Sequence, residues 1–154
     1  MEKFDELVRK LREGTSREKM EAAAELGGLK DRRAVPFLRK AIKDADVVVR
    51  DNAAFALGQI GATEAVFDLV ALLDAESKIV RKSSAKALGM MKVKEAVEPL
   101  IERVNEESYL VRKSVIRSLI QIGGEKVRLV LSEHLKKEEN AFLKEMIEGF
   151  IRKK

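Results

Sequence analysis

The stretch VRDNAAFALGQIGATEAVFDLVALL, residues 49–73, opens on a Val-Arg pair that the chain repeats at a fixed interval. Val49-Arg50 returns as Val80-Arg81 and again as Val111-Arg112, 31 residues apart each time. Seven residues beyond each arginine stands a leucine (Leu57, Leu88, Leu119), and three further on stand Ile60, Met91 and Ile122. A second leucine column, Leu7, Leu38, Leu69, Leu100 and Leu131, keeps the same period. A strict period of this length denotes a repeat array, in which each unit buries its apolar face against its neighbours.

Extending the register in both directions divides the chain into two kinds of segment. A segments cover 16–29, 47–60, 78–91, 109–122 and 140–152, and B segments cover 2–13, 32–43, 64–74, 95–105 and 125–137. Val49, Ala53, Ala56, Leu57 and Ile60 in one A segment, and Ala65, Val66, Leu69, Leu72 and Leu73 in the next B segment, follow helical spacing with polar residues opposite. The pattern predicts helices throughout, with no strand. A single domain, 1–154, is expected: four full A–B pairs between a lone N-terminal B helix and a lone C-terminal A helix, which serve as caps.

Local chemistry agrees with these boundaries. Thr15, Asp46, Ser77 and Ser108 occupy one register position, four before the arginine column, where an oxygen side chain can cap the free N–H groups of an A helix. Gly27, Gly28, Gly58, Gly61, Gly89, Gly123 and Gly124 cluster where A turns into B and read as helix terminators. Pro36 and Pro99 fall in first turns of B, where a missing N–H costs little. Ala22, Ala23, Ala53, Ala54, Ala85 and Ala87 are expected to bring each A helix close to its own B helix, with Val115, Ile116, Met146 and Ile147 replacing them in the last units. Phe4, Leu7 and Leu11 are expected to cover one end of the core, and Phe142, Met146 and Phe150 the other.

The quoted stretch resembles the short HEAT-like repeat of the phycobilin-lyase type. Val-Arg, the Ala-Ala pair, Ala-Leu-Gly and the Ala-Val-x-x-Leu of the B segment stand at that repeat's offsets, and the likeness covers almost the whole chain. The resemblance implies an all-α, right-handed α-solenoid, a HEAT-like superhelix of about ten antiparallel helices, whose B helices line the concave face. It also implies an arginine ladder between repeats. The family includes scaffolds, adaptors and a few enzymes, so an accessory subunit or lyase-like role is one of the readings it allows.

Composition narrows the chemistry. With 45% hydrophobic and 37% charged residues among 154, the chain suits a globular domain with a core. No N-terminal leader pattern and no run of about 18 apolar residues occurs, so the expected location is cytoplasmic, with no membrane partner. Cysteine is absent and His134 is the one histidine, so the usual zinc or di-iron shells cannot be assembled. The glycines form no phosphate-cradling loop, and His134, expected to be a partly exposed structural residue, has no nucleophile motif around it. The chain is therefore expected to be no enzyme, to need no cofactor and to work as a monomeric module or scaffold binding a protein or peptide.

Three residue sets define the candidate surfaces. Arg50, Arg81 and Arg112 lie in the fourth helical position, at the positive end of the helix dipole, and so need a specific acceptor. Asp44, Asp74 and Glu106 in the preceding turns are the acceptors expected of this structural ladder. On the outward side of the B helices, Lys40 and Lys43, then Phe67 and Ala71, then Glu98 and Glu102, run basic, apolar, acidic. A partner segment of opposite charge order would fit them, anchored on Phe67. On the A helices, Lys82, Lys86, Lys113 and Arg117 form a basic patch bounded by Asp51 and Phe55 on one side and Glu148 on the other. It supports nucleic-acid or anionic-surface binding as the alternative function.

Overall fold

A computed structural model describes residues 2–153. Among them, ten α-helices follow one another with no strand: α1 Lys3–Glu13, α2 Ser16–Leu29, α3 Val35–Ala41, α4 Val47–Ile60, α5 Val66–Leu72, α6 Lys78–Met91, α7 Val97–Ile101, α8 Tyr109–Ile122, α9 Glu125–Leu135 and α10 Ala141–Arg152. Short 3-10 turns at Arg32–Ala34, Thr63–Ala65 and Lys94–Ala96 lead into α3, α5 and α7.

The A helices begin where the oxygen side chains predicted. Thr15 and Glu18 form a reciprocal capping box, Asp46 accepts from the N–H groups of Val48 and Val49, and Ser77 and Ser108 accept from Val80 and Val111. Asn140 caps α10 in the same way, accepting from Leu143 at 3.0 Å. The helices end at Lys30, Gly61, Lys92 and Gly123, which share one register position and all have positive φ. Glycine takes this conformation freely at Gly61, whereas Lys30 and Lys92 hold it against their own Cβ.

Gly27, Gly58 and Gly89 are not terminators. They lie inside α2, α4 and α6, at the contact between successive A helices. A Cβ at Gly27 would stand 2.7 Å from Ala56 Cα, one at Gly58 2.7 Å from Ala87 Cα, and one at Gly89 2.5 Å from Ser118 Cβ. The A helices thus stack α2 on α4 on α6 on α8 with glycine against a small residue at each step. In α8 the equivalent position is Ile120, and a Cβ on the facing Gly149 of α10 would meet nothing within 4 Å, so the last step is wider.

Each A helix also packs on the B helix that precedes it: α1 with α2, α3 with α4, α5 with α6, α7 with α8, and α9 with α10. This corrects the expected packing of A on its own following B. The hydroxyl of Ser84 in α6 donates to Leu69 O in α5, at the place of the first alanine in the Ala-Ala pair. The helices expected to stand alone, α1 and α10, are consequently each half of a pair. Both leucine columns are core: Leu38, Leu69, Leu100 and Leu131, and Leu26, Leu57, Leu88 and Leu119, are 0% exposed. Each such leucine contributes roughly 1.5–3 kcal/mol. At the C-terminal end Leu143 and Ile147 fill the core, while Phe142 is 48% exposed. At the other end Leu7 and Leu11 are buried and Phe4 meets Phe37 edge-on at 6.5 Å.

The arginine column ties the turns together, with acceptors other than those expected. Each guanidinium folds back so that Nη1 donates to two backbone carbonyls of the preceding turn: Arg50 to Asp44 and Ala45, Arg81 to Ala75 and Glu76, Arg112 to Glu106 and Glu107. The carboxylate comes instead from the following turn. Arg81 reaches Glu106 at 2.9 Å, and Arg112 reaches Glu138 through Nε at 2.9 Å and Nη2 at 3.2 Å. Lys19 extends the column by one unit, pairing with Asp44 at 3.1 Å. Asp74 is bound instead by Arg103. Arg50 alone in the column lacks a carboxylate among the described residues, because the acceptor position holds Ala75.

His134 is buried, 5% exposed, not partly exposed as expected. Its Nε2 lies 2.8 Å from the Glu138 carboxylate, which also accepts from Asn140 N–H. Burial alone would raise the Glu138 pKa, but the hydrogen bonds from Arg112, Asn140 and His134 outweigh it and lower it to about 2.

Gly58→Ala should destabilise by about 1–3 kcal/mol through overpacking, while Gly28→Ala, in open space, should stabilise by about 0.5–1 kcal/mol. Urea unfolding of the two variants reads this opposite sign. Ala75→Glu should complete the ladder at Arg50 and raise stability by about 0.5–1 kcal/mol, an increment that Arg50→Lys should reduce. For Glu138, a depressed folded pKa means stability fully present above the unfolded value near 4.5 and lost as pH falls towards 2. Glu138→Gln should therefore cost on the order of 3 kcal/mol at pH 7, and the gap to wild type should close by pH 2 in the same unfolding assay.

Candidate functional site

With core and ladder accounted for, two opposite faces remain. The B-helix face is cross-braced by ion pairs between successive helices. Arg32 pairs with Glu64 at 2.9 Å and Arg39 with Asp68 at 2.6 Å, and Arg103 pairs with Asp74 and Lys126 with Glu98. These exposed pairs contribute little energy each, but they neutralise the groups they join.

The residues predicted to point outward from the B helices do so: Lys40, Lys43, Phe67, Ala71, Glu98 and Glu102 are all exposed. Phe67 is 75% exposed, the most of any large apolar side chain on this surface, followed by Leu129 at 63%. Lys40 and Lys43 line a hollow of about 260 Å³ with Pro36, Arg39 and Asp68, one helix away from Phe67. Glu98 is already matched by Lys126, so the negative end of the face rests on Glu102. That partnership links helices 28 residues apart and was invisible to a reading of each helix alone.

On the A-helix face, Lys82, Lys86, Lys113 and Arg117 converge. They line one groove of about 260 Å³ between α6 and α8, together with Met90, Leu110 and Gln121 and the hydroxyls of Ser114 and Ser118. No carboxylate lines it, and among the described residues none of the four cations makes an ion pair. Two are held by aromatic rings instead: Lys86 lies 4.9 Å from the Phe55 ring centre and Lys113 5.2 Å from that of Phe142. Phe142 comes from α10, which a reading of the patch from α6 and α8 could not include. Asp51, at the edge of the patch, is engaged by the Ser83 hydroxyl.

Among the described residues, no three His, Asp or Glu side chains are placed to hold a metal ion, and no helix is long and apolar enough to cross a membrane. Arg112, Glu138 and His134 border a hollow of about 240 Å³, with the acid and histidine engaged with each other.

The architecture is that of known solenoids. The complex of CpcE and CpcF of phycocyanin lyase from Nostoc sp. is similar over 100% of this chain and 66% of that one, with a TM-score of 0.85 at 21% identity. The chain thus spans just under two thirds of the length of that chain. An engineered protein is similar over 96% of this chain and 77% of its own, with a TM-score of 0.76 at 21% identity. At such identity the likeness establishes the fold, a right-handed α-solenoid. Among curated proteins no sequence matches. The sequence profile of HEAT repeats matches residues 4–83 and 67–149, which together span nearly all of the array described above, and the chain belongs to the HEAT repeat family.

Proposed function

We propose that this chain is a non-catalytic interaction module that binds a protein or peptide segment across its B helices, with Phe67 as the anchor. The observation that carries the reading is the placement of Phe67, 75% exposed on α5, between Lys40 and Lys43, which make no ion pair among the described residues, on one side and Glu102 on the other. A large aromatic supplies most of the energy of a small interface when desolvated, and flanking charges of opposite sign orient the partner. The segment that fits has an acidic end over α3, an apolar middle over α5 and a basic end over α7. The similar Nostoc structure is a complex of two proteins, which supports association with another chain.

The second reading is that the A-helix groove takes an anion. Four cations that line one groove and make no ion pair among the described residues favour it.

Crosslinking and capture from native extract, with and without nuclease, identifies the partner, and calorimetry then tests the face. Phe67→Ala should weaken binding by about 1–3 kcal/mol. Glu102→Lys should mainly slow association, and neither change should shift the melting temperature, because both side chains are exposed. Undiminished affinity in both variants would place the partner elsewhere, and nuclease-sensitive capture would favour nucleic acid.

A further inference from the structure

We propose that the outer face of α4, α6 and α8 docks an acidic amphipathic helix of a partner protein. The inference rests on the reading of the basic groove as an anion site and names what carries the anion. Val48, Ile79 and Leu110 occupy one register position in the first turns of these three helices and are 45%, 50% and 51% exposed. Core packing does not use them, and the periodicity of the array sets them in a straight row. On α6, Lys82 and Lys86 follow Ile79 by three and seven residues, and on α8, Lys113 and Arg117 follow Leu110 by the same steps. At helical spacing these side chains share the face of the aliphatic row. Leu110 indeed lines the same groove as the four cations, with Met90, 36% exposed, at its other end.

The surface is therefore amphipathic along two parallel lines, an aliphatic row and a cationic band. Helices packed 8–10 Å apart place the three aliphatic rungs over roughly 16–20 Å, the length of about 11–13 residues of α-helix. A helix crossing the stack would seat aliphatic side chains on Val48, Ile79 and Leu110. Its Asp and Glu residues would lie over α6 and α8, because Asp51 and Phe55 take the cation positions on α4. A nucleic-acid duplex would use the cations only. It would leave the aliphatic row in water and run its phosphates towards Asp51.

The probe is a fluorescent synthetic peptide of about 15 residues, with leucines on one helical face and glutamates flanking them, followed by anisotropy. Controls are the same composition scrambled to destroy the stripe, and a DNA duplex. We expect the amphipathic peptide to bind in preference to both. Ile79→Ser with Leu110→Ser should weaken it by about tenfold or more, and Lys82→Glu with Lys113→Glu should abolish it and its salt dependence. Circular dichroism should be unchanged in both double variants, since Ile79 and Leu110 are exposed and the half-buried Lys82 and Lys113 face the groove, and melting should be unchanged in the serine pair. If they are not, Ile79→Gln with Leu110→Gln replaces the serine pair. Tighter binding of the duplex, or an affinity indifferent to the aliphatic substitutions or to scrambling, would overturn the proposal while leaving the anion site standing. Binding of neither peptide nor duplex would overturn both.

Discussion

Every surface of this molecule depends on how closely one A helix approaches the next. With glycine on one helix against an alanine or serine on its neighbour, only a small side chain stands between the two backbones, and the same pairing recurs from α2 to α8. An identical step converts a sequence period into a spatial row. Residues 31 apart then stand side by side, whatever their chemistry. Where Ile120 takes the glycine position the approach widens, and α10 leans on α9 as well as on α8.

The guanidinium column works on that frame. An arginine in the first turn sits at the positive end of its own helix, which disfavours it electrostatically. Two carbonyl acceptors from the preceding turn and a carboxylate from the following one offset this, so each complete arginine joins three successive segments of chain. These cations are consumed by the fold and are not offered to a ligand. The four on the A-helix face differ because, among the described residues, no carboxylate answers their charge.

The two faces solve their electrostatics differently. Across the B helices, basic and acidic side chains of neighbouring units brace one another, leaving Lys40, Lys43 and Glu102 around one exposed phenylalanine. Across the A helices, aromatic rings beneath two lysines hold the heads in place without neutralising them. On the two proposed readings, the aromatic anchor on one side and the amphipathic cationic groove on the other would serve separate partners.

Helix boundaries, caps, both leucine columns and the outward set on the B helices were legible because they follow from local chemistry and from a period of 31. The convergence of Lys82, Lys86, Lys113 and Arg117 was legible for the same reason: equivalent positions in a stack become neighbours. The sequence alone could not show which B helix an A helix packs on, since both neighbours are equally close along the chain. Nor could it separate Gly58, a packing contact, from Gly61, a helix end, because both lack a side chain for different reasons. The acceptors of the arginines, the pairing of Glu98 with Lys126, the burial of His134 and the ring of Phe142 under Lys113 were decided by tertiary structure alone. Each joins groups some 4 to 29 residues apart by direction and distance, and a period specifies only which residues are equivalent, not which way they reach.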